Sequence, residues 1–92
     1  MIVVDASVLA PALADDGVDG EAARRRLAGQ EVAAPEIVDL EVASVWRRAV
    51  VAGDLGERRA AQALADLAAL PLARASHHLL MGRVWELRAN LT

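Results

Sequence analysis

The chain has no cysteine, no lysine, no phenylalanine and no tyrosine, and each absence removes a class of protein. Without cysteine there are no disulfide staples, thiolate metal sites or cysteine nucleophiles, which fits a cytoplasmic protein. With two tryptophans as its only aromatics, the core must be aliphatic. No apolar run approaches the ~20 residues that cross a bilayer, and the opening Met1-Ile2-Val3-Val4-Asp5 lacks the basic start of a secretory signal. A formal charge of −3 argues against a general nucleic-acid-coating module, which would be basic. The ten cations are all arginine, whose planar fork suits phosphate and carboxylate better than ammonium does. At 92 residues, 55% hydrophobic and 25% charged, the composition is that of one globular domain spanning 1–92.

Ile2-Val3-Val4 is a β-branched run too short for a helix, and it reads as a strand buried on both faces inside a parallel sheet. Ser7 is placed to cap a helix from about Val8 to Ala14, with Pro11 early in it. A second helix is predicted over Gly20 to Leu27, with Asp19 as its N-cap and Gly29 as its stop. A short strand over Glu31 to Ala34 follows. Pro35 then opens the longest helix, Glu36 to about Ala52, which Gly53 ends. A further helix runs from Asp54 or Gly56 through Leu67, a third strand over Leu70 to Ala73, and a last helix from His77 to about Arg88. The alternation predicts an α/β sandwich, a central parallel sheet flanked by helices. Three strands make a thin sheet, and a two-sided strand such as Ile2–Val4 calls for neighbours on both edges, so the domain reads as incomplete.

Sites in open parallel sheets form beyond the carboxyl ends of strands. Asp5 holds that position on a strand expected to be central. It is either a carboxylate that receives the N–H groups of the next helix or a ligand. Glu41 has Ile37, Val38 and Val45 at helical spacing, which places it on the core-facing stripe of the longest helix with no arginine three or four residues away. A lone carboxylate there must be protonated, partnered from elsewhere or metal-bound, unless the helix is rotated and Glu41 faces water. Two such acids aimed at one strand end suit Mg²⁺ or Mn²⁺, hard ions that prefer oxygen and keep several waters. Such an ion beside a phosphodiester can orient a water and neutralise developing charge.

The other polar residues read more plainly. Asp39 is read as solvated, and adjacent His77 and His78 as surface or capping residues rather than a metal pair. Trp46 and Trp85 read as core or interface, and the arginine clusters as mostly solvated faces. Arg48, seven residues after Glu41, is the exception, able to reach a phosphate or hold the acid.

The segments Met1-Ile-Val-Val-Asp5-Ala-Ser7-Val-Leu and Ala34-Pro35-Glu-Ile-Val-Asp-Leu-Glu41-Val resemble the start of PIN-domain proteins, especially the VapC toxins of bacterial VapBC toxin–antitoxin pairs. The shared pattern is an Asp ending the first strand, a Ser or Thr two residues on, and a Glu inside the helix after a Pro. The closing Trp85–Thr92 stretch is similar to the segment leading to the family's third acid, so the resemblance spans the chain.

It implies a PIN-like three-layer sandwich and a Mg²⁺- or Mn²⁺-dependent endoribonuclease that cleaves structured RNA such as tRNA or rRNA. Asp5 and Glu41 would be the catalytic metal ligands, with Glu41 alternatively positioning the water. Ser7 would hydrogen-bond a neighbouring acid. It also implies a homodimer and a VapB-like antitoxin laid across the groove. The family's third and fourth acids and two of its five strands fall beyond Thr92, so the chain is expected to be a fragment of a longer toxin or a degenerate copy. The competing expectations are a non-catalytic PIN-like module that binds an antitoxin helix, and a nuclease of DNA.

Overall fold

Strand β1 (Ile2–Val3) opens the computed structural model, which describes residues 1–86, 88 and 89. Its chain turns directly into helix α1 (Ala6–Ala14), which α2 (Val18–Leu27) follows through a tight Asp15–Gly17 connection. Strand β2 (Val32–Pro35), helices α3 (Val38–Val51) and α4 (Glu57–Ala69), strand β3 (Ala73–Ala75) and helix α5 (His77–Glu86) complete the order. The predicted last helix to Arg88 and the Trp85–Thr92 stretch lie partly outside the described residues, at Leu87, Asn90, Leu91 and Thr92.

The strands form one parallel sheet in the order β1-β2-β3, with Ile2 opposite Val32, Val3 opposite Ala33, and Ala34 opposite Arg74. Five helices flank it, as the α/β pattern predicts. The expectation that the opening strand lies centrally is corrected: among the described residues β2 is the middle strand and β1 has one neighbour. Val3 and Val4 are nonetheless buried, and Val4 belongs to the same aliphatic cluster as Val8 and Leu9 of α1.

Several element ends also move. Asp5, not Ser7, caps α1, which therefore begins at Ala6 and leaves Pro11 in its interior rather than its first turn. Gly17 is the N-cap of α2 in place of Asp19. Pro35 ends β2 instead of starting a helix, a position whose missing N–H a strand end tolerates. Strand β3 falls at Ala73–Ala75, three residues later than its apolar content indicates. Gly29 and Gly53 do stop their helices, at φ of 72° and 82°, where L side chains are strained.

The core is aliphatic and alanine-rich. Leu9, Val4, Val38 and Val42 are the largest fully enclosed side chains. Trp46 is 3% exposed and donates its indole N–H to the Ala10 carbonyl at 3.2 Å, which satisfies the only polar atom of a buried ring. Ala6, Ala10 and Ala12 of α1 are buried, and their small side chains let α2, α3 and α4 close in on it. The closest approach is at Gly20, where a Cβ would stand 1.8 Å from the Asp15 carbonyl oxygen.

The carbonyl end of α1 is held by two arginines that the sequence leaves on solvated faces. Arg24 donates to the Ala12 and Asp15 carbonyls at 3.0 and 2.9 Å. Arg59 donates to the Leu13 carbonyl at 2.9 Å and to both oxygens of Asp16 at 3.1 and 3.2 Å. Cations at a helix C-terminus also oppose the negative end of its dipole.

Gly20→Ala is expected to lower stability by about 1–3 kcal/mol, since backbone must shift to admit the methyl. Gly82→Ala, in an open part of α5, should raise it by about 0.5–1 kcal/mol through helix propensity alone. Thermal unfolding of the two variants reads the opposite signs. The hydrogen bond from Arg59 and then its charge lower the Asp16 carboxyl below its ordinary 3.8. Because the folded-state value is the lower one, the pair stabilises the fold above pH 3.8, and that contribution fades as pH falls through the lowered value. Asp16→Asn should flatten that limb of the acid-unfolding curve.

Candidate active site at the carboxyl edge of the sheet

In a parallel sheet all strand carboxyl ends share one edge, and the residues leaving it here are Asp5 after β1, Glu36 after β2 and Ser76 after β3. Asp5 is exposed and extended, with φ of −123°. Its Oδ1 accepts the Ser7 backbone N–H at 2.9 Å and the Ser7 hydroxyl at 2.5 Å. One oxygen is thus committed to the start of α1, whose positive dipole end favours the carboxylate. The Asp5 Oδ2 has no hydrogen-bond partner among the described residues and stays available.

Glu41 does not lie on the core-facing stripe. Val38, Val42 and Trp46 are the buried positions of α3, with Val45 and Ala49 half-buried beside them, and Glu41 is exposed on the flank of that stripe. The apolar neighbours that placed it inside include Ile37, which is itself 57% exposed. Glu41 stands one turn into the helix that leaves the sheet's carboxyl edge, and it makes no ion pair or hydrogen bond through its side chain among the described residues. The structure therefore joins Asp5 to Ser7 and sets Glu41 at the same edge without bonding it to either.

Asp39 is corrected in the opposite sense. Rather than solvated, it receives a two-pronged contact from Arg74 of β3, Nε to Oδ2 at 2.8 Å and Nη2 to Oδ1 at 3.0 Å. The same Nη2 donates to the Leu67 carbonyl at 2.9 Å, so Arg74 ties α3, α4 and β3 together. Periodicity and motif spacing give Arg74 no role. Its one signal is an arginine inside the strand Ala73-Arg74-Ala75, where a charge needs a partner.

His77 and His78 are exposed at the start of α5, their rings tilted on one another with centroids 4.0 Å apart. Of the two readings for Trp85, core or interface, burial removes the first: it is 67% exposed, with the Arg88 guanidinium 4.5 Å from its ring centre. Arg48 is exposed and unpaired among the described residues. A depression of about 570 Å³ between α1, α3 and α4 is floored by Trp46 and Leu55 and rimmed by the Asp16–Arg59 pair. It lies toward the carbonyl end of α1, the end away from Asp5.

Carboxylate oxygens are the donors that Mg²⁺ and Mn²⁺ accept, and one or two of them plus waters make an ordinary site for such ions. The free Asp5 Oδ2 and the unpaired Glu41 fit that donor set. Among the described residues no three His, Cys, Asp or Glu side chains gather as a cluster.

A family match and several relatives bear on the whole chain. The PIN domain model matches residues 2–90. A VapC ribonuclease of Mycobacterium bovis and ribonuclease VapC9 of Mycobacterium tuberculosis are each 39% identical over 92 residues, an alignment that takes in 100% of this chain and 69% of each relative. Ribonuclease VapC1 of Mycobacterium tuberculosis is 36% identical over 91 residues, 98% of this chain and 68% of its own length.

Arg74→Ala should cost about 1–3 kcal/mol, because it strands the half-buried Asp39 carboxylate and the Leu67 carbonyl together. Asp39→Ala in the same background should add little, and a double-mutant cycle read by chemical denaturation measures that coupling.

Proposed function

Because the chain belongs to the PIN-domain family, on its VapC-type branch, we propose that it is the toxin of a type II toxin–antitoxin pair, a Mg²⁺- or Mn²⁺-dependent endoribonuclease that cuts structured RNA such as tRNA or rRNA in the cytoplasm. The observation that carries the reading is the Asp5 carboxylate, exposed at the sheet's carboxyl edge with Oδ1 fixed by Ser7 and Oδ2 open. Glu41, exposed and unpaired on the helix leaving the same edge, is the second acid. A VapB-like antitoxin covering this edge would silence it, and the toxin works as a homodimer.

Asp5 and Glu41 would hold the ion. When bound, it supplies a positive charge that acidifies a coordinated water and neutralises charge building on the scissile phosphate. The protein's own part is positioning. The Ser7 hydroxyl and N–H lock one Asp5 oxygen, so the carboxylate cannot rotate and its second oxygen keeps a fixed place. Glu41, as the alternative to binding the ion directly, can orient the attacking water or accept its proton. Hydrolysis then breaks the bond from phosphorus to one ribose oxygen as the water oxygen joins phosphorus, and the leaving oxygen takes up a proton.

One observation favours a second reading, a PIN-like module that binds an antitoxin helix without catalysis: among the described residues no third acid gathers with Asp5 and Glu41, which leaves a thin cage for an ion. Mn²⁺ titration separates the two. The nuclease reading expects Mn²⁺ to raise the melting temperature, with the effect lost in Asp5→Asn and Glu41→Gln and kept in Asp39→Asn, whose carboxylate Arg74 already occupies. RNA cleavage should vanish in Asp5→Asn and fall about 10–100-fold in Ser7→Ala, the range for losing a group that orients a ligand. Cleavage undiminished in Asp5→Asn, or no Mn²⁺ shift in the wild type, would leave the binding module standing.

A further inference from the structure

Three consecutive arginines, Arg24, Arg25 and Arg26, close α2, and the structure gives them different tasks. Arg24 turns to the carbonyl end of α1 and Arg25 pairs with Glu21 at 2.7 Å. Arg26 is exposed and has no ion-pair or hydrogen-bond partner among the described residues. It lines a depression of about 360 Å³ between α1 and α2, together with Ser7, Pro11, Ala22 and Asp19.

The hairpin gives this depression a direction. Helices α1 and α2 run antiparallel across the Asp15–Gly17 connection, so Ser7 at the start of α1 faces Arg26 at the end of α2, and Pro11 faces Ala22. The end with Ser7 and Arg26 is the end at which Ser7 holds Asp5. The acids of the depression, Asp15 and Asp19, stand at the other end. At 1.5 Å per helical residue, the eight residues from Ser7 to Asp15 span about 12 Å. That exceeds the Debye length of about 8 Å at physiological salt, so these acids do little to weaken an anion at Arg26. Asp15 is further occupied, accepting the Gly17 N–H at 2.7 Å.

We propose that Arg26 is a phosphate-binding residue, gripping a backbone phosphate of the RNA that runs over the α1–α2 groove into the Asp5 edge. The inference rests on the ribonuclease reading above and adds to it the direction in which the substrate leaves the site. An unpaired guanidinium beside a concave surface offers a fork of N–H donors to two phosphate oxygens. The acidic far end turns the strand away from the helix connection, so the groove admits phosphate at one end and repels it at the other. A cation in the last turn of α2 also suits the helix dipole, which is why stability alone does not test the role of Arg26.

The test is the salt dependence of RNA binding without cleavage. Binding of a fluorescein-labelled RNA stem-loop to the full chain is followed by anisotropy in EDTA across a salt series, for wild type, Arg26→Ala, Arg26→Lys and Arg58→Ala. Losing one phosphate contact should make the slope of log K against log salt shallower by about 0.7–1 and weaken binding about fivefold or more at low salt. Arg26→Lys should restore the slope, and Arg58→Ala, an exposed arginine on α4, should match the wild type. In cleavage assays Arg26→Ala should raise KM and leave kcat nearly unchanged. Wild-type binding with an unaltered slope in Arg26→Ala overturns the phosphate contact and leaves the ribonuclease reading intact. No RNA binding by the wild type overturns both.

Discussion

Helix α1 is buried along its middle, and side chains from its own cap and from three other helices satisfy backbone groups left over at its two ends. Five of its nine residues are buried, and α2, α3 and α4 all pack on it. Each enclosed Val or Leu contributes about 1.5–3 kcal/mol, but an unsatisfied carbonyl takes back about 1–3 kcal/mol. Asp5 closes the amide end, while Arg24, Arg59 and the indole of Trp46 take carbonyls from Ala10 to Asp15. These partners come from α2, α3 and α4, so the polar ends of one helix set where three others sit. With two tryptophans as its aromatics the chain has few large side chains to lock its helices, and these directed contacts do part of that work.

The same constraint produces the candidate site. A carboxylate that caps a helix must sit at the helix N-terminus, and in this fold that point is also the carboxyl end of β1. Capping engages one oxygen and leaves the other. Asp5 as a helix cap and Asp5 as a ligand are therefore compatible roles on separate atoms. Ser7 links them, since its N–H belongs to the helix start and its hydroxyl steadies the carboxylate. On α3 the two acids divide by partner: Arg74 claims Asp39 and builds structure, while Glu41 goes unclaimed.

What the sequence reveals is mostly local. The β-branched run, the glycine stops at Gly29 and Gly53 and the Asp5–Ser7 spacing all act within a few residues, and each turns up where the pattern puts it. The face of α3 is harder, because apolar side chains lie all around it. Ile37, Leu40 and Val51 are 57, 70 and 78% exposed, so counting apolar neighbours could not tell the buried stripe from the open one. The Arg74–Asp39 pair spans 35 residues and crosses from strand to helix, which no periodicity reports. The position of β1 in the sheet is likewise a property of pairing, and a run of three apolar residues carries no sign of how many neighbours it has.

Under the ribonuclease reading, an acidic chain must place its few free cations rather than accumulate them. Arg24, Arg59 and Arg74 are engaged with backbone carbonyls, and Arg25 and Arg83 with glutamates. Those guanidiniums hold the fold and are withdrawn from phosphate. What remains exposed and unpaired among the described residues, Arg26, Arg47, Arg48 and Arg58, is scattered over three helices. Few phosphate contacts mean a shallow salt dependence and weak non-specific attraction. On that reading recognition comes from which single arginine stands beside the Asp5 edge, rather than from the net charge of −3.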